Sequence, residues 1–424
     1  MISDVRGFTL PSSVFASHRE RLMHLIPDDS VAIFFAGRAP VMSEDDSYRF
    51  FCNRNFYYLT GIEAEESALT IRKQGGAFVA TLYIFPRDPS REKWTGRRLS
   101  PDEASSISGI DVDNIALLPS LEADILAIVD DASVNIAYDA RNPAPQAALL
   151  SRLVHEHGQE ARLLDVSEHL TSLRMVKSPE EVDAIRMAIR VTEEAIDVMR
   201  EKLAPGVTEA ELYATLQYEM TRRGCLIPGF DTITAGGENT LCLHYPNPMG
   251  TVKAGDMLQI DVGARAAGYS ADISRAFPVD GSWTKKQALI RDAVMDCKAV
   301  ALAAIHPGAT MKDVHTATRA CAAKHLAAMG LITKVSVDSV ASEKSTSSAY
   351  SDEDISRYYW HNTGHHLGLD VHDVSHRDKP LEAGNVLAIE PGIYVEEWGF
   401  GFRIEDDILV TKNGSVYLSD VTKI

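Results

Sequence analysis

A carboxylate inside an apolar strand is costly unless it is paired, hydrogen-bonded or bound to a metal. Five short segments of this chain place an acid or an imidazole in such a setting. They are Leu258-Gln-Ile-Asp261-Val-Gly263, Ser270-Ala-Asp272-Ile-Ser-Arg275, Gly364-His365-His366-Leu-Gly368, Ala388-Ile-Glu390-Pro-Gly-Ile-Tyr394 and Phe402-Arg403-Ile-Glu405-Asp-Asp-Ile408. Four carboxylates and one imidazole supply hard oxygen donors with a single nitrogen. That set suits a pair of divalent cations such as manganese better than a thiolate-type zinc site. The four negative charges also balance two divalent ions. The pattern implies a two-metal hydrolase.

At 424 residues the chain exceeds the usual limit of one hydrophobic core, so two domains are expected. The net charge of −18 argues against a nucleic-acid footprint and against docking on anionic lipid. Five cysteines (Cys52, Cys225, Cys242, Cys297, Cys321) are odd in number and never in a Cys-x-x-Cys spacing. They read as reduced thiols rather than a disulfide framework or zinc ribbon. Charges at Asp4, Arg6, Arg19, Glu20 and Arg21 interrupt any apolar leader, and no stretch approaches a membrane span. The expected compartment is the cytoplasm.

Along the first 175 residues, short β-branched runs at 31–35, 67–71, 77–85 and 134–138 alternate with helical periodicity at 121–128 and 147–155. This predicts a mixed α/β domain with no catalytic constellation of its own. The boundary falls near Lys177, where Ser178, Pro179 and Glu181 make a capping box. Val182, Ile185, Ile189, Ile196 and Met199 then form the stripe of a long helix. A second box, Thr208 with Glu211, opens a helix that stops at Gly224. Further helices are expected at about 284–305 and 310–329. The domains are therefore 1–175 and 176–424. The serine-rich stretch 336–356 reads as a mobile surface insertion.

Asp261 and Asp272 are eleven positions apart, with Gly263 and Gly268 bracketing a turn. Adjacent antiparallel strands would put both carboxylates on one sheet face. The segment from His361 to His372 holds four of the fourteen histidines, and its glycines make a zincin-type helix unlike this sequence. Neighbouring strand residues face opposite ways, so the pattern leaves open which of His365 and His366 turns inward. Glu390 ends a strand at Pro391-Gly392. Arg403 and Glu405, two apart, should share a face, where a structural ion pair would also explain them. Asp406 and Asp407 are assigned to the opposite face or a turn.

Together these segments resemble the aminopeptidase P and prolidase family of pita-bread metallopeptidases. Arg174-Met-Val-Lys-Ser-Pro-Glu-Glu-Val182 resembles the opening of that family's catalytic domain, and Asn55-Phe-Tyr-Tyr-Leu-Thr-Gly61 the signature of its N-terminal domain. The resemblance implies an α/β two-domain protein: a creatinase/prolidase-type N-terminal domain, then an α+β pita-bread catalytic domain. It implies Asp261 on one metal, Asp272 and Glu405 bridging both, and His365 and Glu390 completing the second. It aligns His244, His372 and His361 with histidines near the scissile carbonyl. Tyr394 and Arg403 match residues that shape the centre, and Asp45 aligns loosely with an acid near the substrate amine.

The implied activity is metal-dependent hydrolysis of the bond before a penultimate proline, by a hydroxide held between two metals. Glu390 is the candidate general base, and His244 and His372 are candidate donors to the oxyanion. The metals implied are two Mn2+, with Co2+ or Zn2+ as alternatives. The partners implied are proline-containing peptides and copies of the chain in a dimer or tetramer. Two other readings compete. A prolidase cleaves only Xaa-Pro dipeptides and needs a cation such as Arg377 for the product carboxylate. A metal-free binding module would have lost ligands, and this chain keeps all five.

Overall fold

The serine–proline pair at 178–179 opens a helix, as its chemistry requires. The Ser178 hydroxyl accepts from the Glu181 amide at 3.3 Å, while the Glu181 carboxylate accepts from the Ser178 amide at 2.7 Å. The computed structural model describes residues 3–141, 144–334 and 350–420, and these form two compact units. One comprises residues 10–174, the other 175–424 together with 1–9.

The smaller unit is built on a six-stranded mixed sheet. Its strands are β1 (Ser30–Phe35), β2 (Ala68–Gln74), β3 (Ala77–Ile84), β4 (Ile115–Leu117), β5 (Asn135–Tyr138) and β6 (Leu163–Asp165), in the order β4-β3-β2-β1-β5-β6. The β1-β2-β3 ribbon is antiparallel, while β4, β5 and β6 add in parallel. Helices α1 (Ser12–Leu25), α2 (Arg54–Thr60), α3 (Glu92–Thr95), α4 (Pro101–Ser108), α5 (Leu121–Asp130), α6 (Ala147–Glu156) and α7 (Ser167–Met175) accompany it. Ile125, Val129 and Val154 from the helices meet Val31, Ile33 and Ile136 from the sheet in one core. The expected strand–helix alternation is present.

In the larger unit, helices α8 (Pro179–Lys202), α9 (Glu209–Arg222), α10 (Lys285–Ala304), α11 (Met311–Ala328) and α12 (Asp352–Ser356) surround short antiparallel sheets. The apolar stripe of α8 is buried throughout. Each such side chain contributes roughly 1.5–3 kcal/mol. Helices α10 and α11 also start with capping boxes, at Thr284 and Thr310. The serine-rich stretch lies outside the described residues up to 349, and its last part forms α12.

The strands are β7 (Ile233–Gly236), β8 (Met257–Val262), β9 (Arg265–Ala266), β10 (Tyr269–Ser270) and β11 (Ile273–Pro278), then β12 (Gly364–His366) and β13 (Val386–Ile389). After them come β14 (Gly392–Val395), β15 (Phe400–Arg403), β16 (Asp406–Thr411) and β17 (Gly414–Tyr417). A three-stranded sheet β11-β8-β7, a four-stranded sheet β12-β13-β16-β17 and a ribbon β14-β15 result. Phe402 and Ile404 pack with Ile290, Val294 and Cys297 of α10. Leu387, Ile389, Ile408 and Val410 pack with Ala301 and Val314. Alternation then turns Arg403, Glu405 and Asp407 away from those cores. No helix among the described residues is long and apolar enough to cross a membrane.

Candidate metal centre

Strands β8 and β11 pair antiparallel, with Asp261 opposite Ser274 and Asp272 just before β11. The two acids are thus diagonal neighbours on one face, as expected. The connection is not a simple hairpin. β9 and β10 form a separate small ribbon, closed by Ala267 (φ 45°) and Gly268 (φ 83°). The chain crosses itself at Gly263, where an added Cβ would stand 1.9 Å from the Ala271 carbonyl oxygen. Glycine is required there by close approach rather than by a turn.

The second set of ligand candidates comes from the four-stranded sheet. His365 pairs with Ala388, which pairs with Asp407, so these three share a face. Glu390 follows the last residue of β13, and its amide donates to the Thr363 carbonyl at 2.8 Å. Glu405 lies between β15 and β16, so the segment from Arg403 to Glu405 is not the single strand anticipated. Bonds that join the sheets include the Glu405 amide to the Ser274 carbonyl and the Asp272 amide to Asp407 Oδ2, both 3.1 Å.

The result is a convergence. His365 Nε2 lies 3.4 Å from Asp272 Oδ2, 3.8 Å from Glu405 Oε1 and 4.0 Å from Glu390 Oε1. One donor atom from each of Asp272, His365 and Glu405 falls within 4.8 Å of the others. Two donors about 2.1 Å from one ion at right angles stand about 3 Å apart, so this spacing matches a shared cation. His365 Nδ1 is 3.1 Å from the His366 carbonyl oxygen. A proton held there leaves the Nε2 lone pair facing the acids. His366 is buried away from them, beside the Lys177–Asp373 ion pair.

Asp261 is aimed by Arg403. The guanidinium donates to Asp261 Oδ2 at 2.7 Å, to the Tyr394 hydroxyl at 3.0 Å and to Ser274 Oγ at 2.9 Å. The alternative explanation, a structural pair between Arg403 and Glu405, does not hold; Arg403 is committed to Asp261. Asp261 Oδ1 and Asp272 Oδ1 remain buried with no hydrogen-bond partner. His361 Nε2 sits 2.8 Å from the Tyr394 hydroxyl, and its Nδ1 is 3.5 Å from Glu390 Oε2. The His372 ring packs edge-on to His365 at 4.2 Å. His244 stands in an exposed loop, close enough to His372 to help lower its pKa. Asp45 belongs to the smaller unit, where it is exposed and bonded to Ser43. Arg377 is exposed on the loop that precedes β13.

The electrostatics are those of a set of ligands under mutual repulsion. Burial, then the charges of Glu405 and Asp261, hold the Asp272 carboxyl well above the usual range. Burial followed by Asp261 does the same to Glu405. Burial takes Glu390 to about 8 against the opposing pull of Arg403. Burial, then His372, brings His365 down to about 4, which leaves it a neutral donor at pH 7. Divalent charge relieves the three raised carboxyls and favours the same neutral form of His365.

Sequence reasoning missed the supports. Asp407 shares the face of Glu405 and bonds Asp272, whereas Asp406 turns the other way to Arg275, Lys298 and Ser419. Both are fully buried in β16, so neither lies in a turn. The two-residue spacing from Glu405 to Asp407 was the available signal. Trp360, stacked on Tyr394 at 4.6 Å, had none.

Comparison with known proteins agrees with this geometry. The model of metallopeptidase family M24 matches residues 183–412, and that of the aminopeptidase P N-terminal domain matches residues 15–135. The chain is 30% identical to the Xaa-Pro aminopeptidase of Escherichia coli over 96% of its length and 94% of the relative. It is 30% identical to human Xaa-Pro aminopeptidase 3 over 96% of its length and 82% of that protein. Among solved structures, Pseudomonas aeruginosa aminopeptidase PepP superposes with a TM-score of 0.87 at 29% identity, covering 97% of this chain and 95% of that one. Escherichia coli aminopeptidase P in its low-pH form gives 0.87 at 28%, covering 97% and 96%. The chain therefore belongs to metallopeptidase family M24, within the aminopeptidase P family, and is a metallo-aminopeptidase.

Proposed function

We propose that the protein removes the N-terminal residue from peptides with proline in second position, using two divalent cations held by Asp261, Asp272, His365, Glu390 and Glu405. The observation that carries this reading is the meeting of Asp272, Glu405 and the His365 lone pair within 4.8 Å. The partnerless Asp261 Oδ1 and Asp272 Oδ1 fit the same use. A buried acceptor without a donor is costly, and a cation is the economical partner for several at once. Mn2+ suits the oxygen-rich set best, with Co2+ or Zn2+ as alternatives.

When bound, the cations supply an acidified water and a polarised carbonyl. The protein's own residues do the rest. Glu390, half-buried at the end of β13, takes the proton of the attacking water and passes it towards the leaving nitrogen. His244 and His372 face the developing oxyanion and donate to it. Arg403 fixes Asp261 and Tyr394, and Tyr394 in turn fixes His361.

Turnover of Xaa-Pro dipeptides against Xaa-Pro-Xaa tripeptides, with manganese and after chelation, tests the proposal. Metal-dependent cleavage of tripeptides is expected. Cleavage of dipeptides alone would establish a prolidase and direct attention to Arg377. Absence of metal-dependent hydrolysis of either would defeat the reading.

A further inference from the structure

Glu209 is the first residue of α9, yet it does not cap that helix. The capping box is complete without it, because Thr208 and Glu211 satisfy each other at 3.2 Å and 2.9 Å. The Glu209 side chain is buried and turns instead to the segment between β7 and β8. Its Oε1 accepts from the Gly236 amide at 2.7 Å and from Asn239 Nδ2 at 2.8 Å. Its Oε2 accepts from the Gly250 amide at 2.7 Å. Burial, then the charge of this carboxylate nearby, raises the pKa of the Tyr245 hydroxyl. A carboxylate offers about four lone-pair sites, and three are engaged here.

These three donors and Tyr245 are not scattered. Gly236 and Gly250 are the two ends of the loop that carries His244, Asn239 lies on its rising limb, and Tyr245 is the next residue after His244. The Glu209 amide also donates to the Gly250 carbonyl at 2.9 Å, which closes the loop base from the main chain. Both ends of the loop depend on glycine for this approach. A Cβ on Gly250 would stand 2.8 Å from Glu209 Oε2, and one on Gly236 2.5 Å from Val252 Cγ1. Thr240 adds a further anchor, its hydroxyl accepting from the Gly401 amide at 2.8 Å. A carboxylate at a helix N-terminus also lies favourably in the field of the helix dipole.

We propose that Glu209 is a positioning residue for hydrolysis: it clamps the 237–249 loop through Gly236, Asn239 and Gly250, and so holds His244 in place opposite His372. The function rests on the role assigned above to His244, while the clamp itself stands on hydrogen bonds alone. In Glu209→Gln one acceptor oxygen becomes a donor that faces other donors, with volume unchanged. A misplacement of about 1 Å at a catalytic group costs about 10²-fold in rate.

The test uses the full-length, metal-loaded chain with Glu209→Gln, His244→Ala and the double variant. Expected results are faster amide exchange within 237–250, unchanged bound metal, and kcat/KM for a tripeptide lowered by about 10²-fold. The double variant should lose no more than His244→Ala alone, because residues acting through one group are not additive. Unchanged exchange in 237–250, or losses that multiply in the double variant, would overturn the proposal. Gly250→Ala displaces the carboxylate with Glu209 intact and should give the same signature, which keeps the test decisive if the Glu209 variant folds poorly. A wild-type protein inactive on Xaa-Pro peptides would defeat the functional reading, and the exchange measurement would still decide the clamp.

Discussion

The Arg403 guanidinium divides its donors among Asp261, Tyr394 and Ser274, and so converts one buried charge into the aim of a ligand. Arg403→Lys keeps the charge and loses the fork. Metal affinity measured by titration should fall roughly 10–100-fold, the usual cost of losing a residue that orients a ligand. Asp272→Ala should abolish metal-dependent turnover while circular dichroism shows a folded chain; wild-type turnover would remove Asp272 from the ligand set. The raised carboxyls also set a sign for pH. In chelated protein Asp272, Glu405 and Glu390 bind protons more tightly folded than unfolded. Their contribution is fully present below the ordinary values, 3.8 for Asp272 and 4.5 for the two glutamates, and is lost as pH rises, through about 8 for Glu390. The melting temperature of the chelated protein should therefore drop across that window, and added manganese should flatten the drop.

Among the elements, the hairpin-like unit β8–β11 shows how far local rules reach. Alternation predicted that Asp261 and Asp272 share a face, and pairing of Asp261 with Ser274 delivers it. Turn rules did not predict the crossing at Gly263, which depends on Ala271, eight residues away in the chain. Gly263→Ala should cost about 1–3 kcal/mol, as overpacking commonly does, and should weaken metal uptake in the same variant. Chemical denaturation and metal titration of that variant would check both. The capping boxes at Ser178 and Thr208 were legible because each needs only residues three apart. The break between β15 and β16 was not, since a strand that changes sheets keeps its alternating pattern.

For the whole molecule, all five ligand candidates lie in the unit formed by residues 175–424 with 1–9. Metal binding should stabilise that unit and leave the sheet β1–β6 unaffected. At a free metal concentration 100 times Kd the gain is about 2.7 kcal/mol. Hydrogen exchange before and after chelation should show lost protection around β8, β11, β12 and β16 only; equal loss in the smaller unit would contradict this placement. The net charge of −18 fits a chain whose buried acids await cations, because those acids contribute to it without being available to water.

The order of acids, histidine, glycines and apolar runs determined by itself the two-part architecture, the helix starts and the donor chemistry, since each follows from neighbours within a few residues. Tertiary structure alone decided the rest. It turned towards the acids His365, which alternation had left open and the resemblance had named, and gave Arg403 to Asp261 rather than Glu405. It also brought Asp407 beneath Asp272 and Glu209 beneath the His244 loop. These contacts join residues 27 to 142 positions apart. A pattern read along the chain records which side chains share a face, but not which other face will be pressed against it.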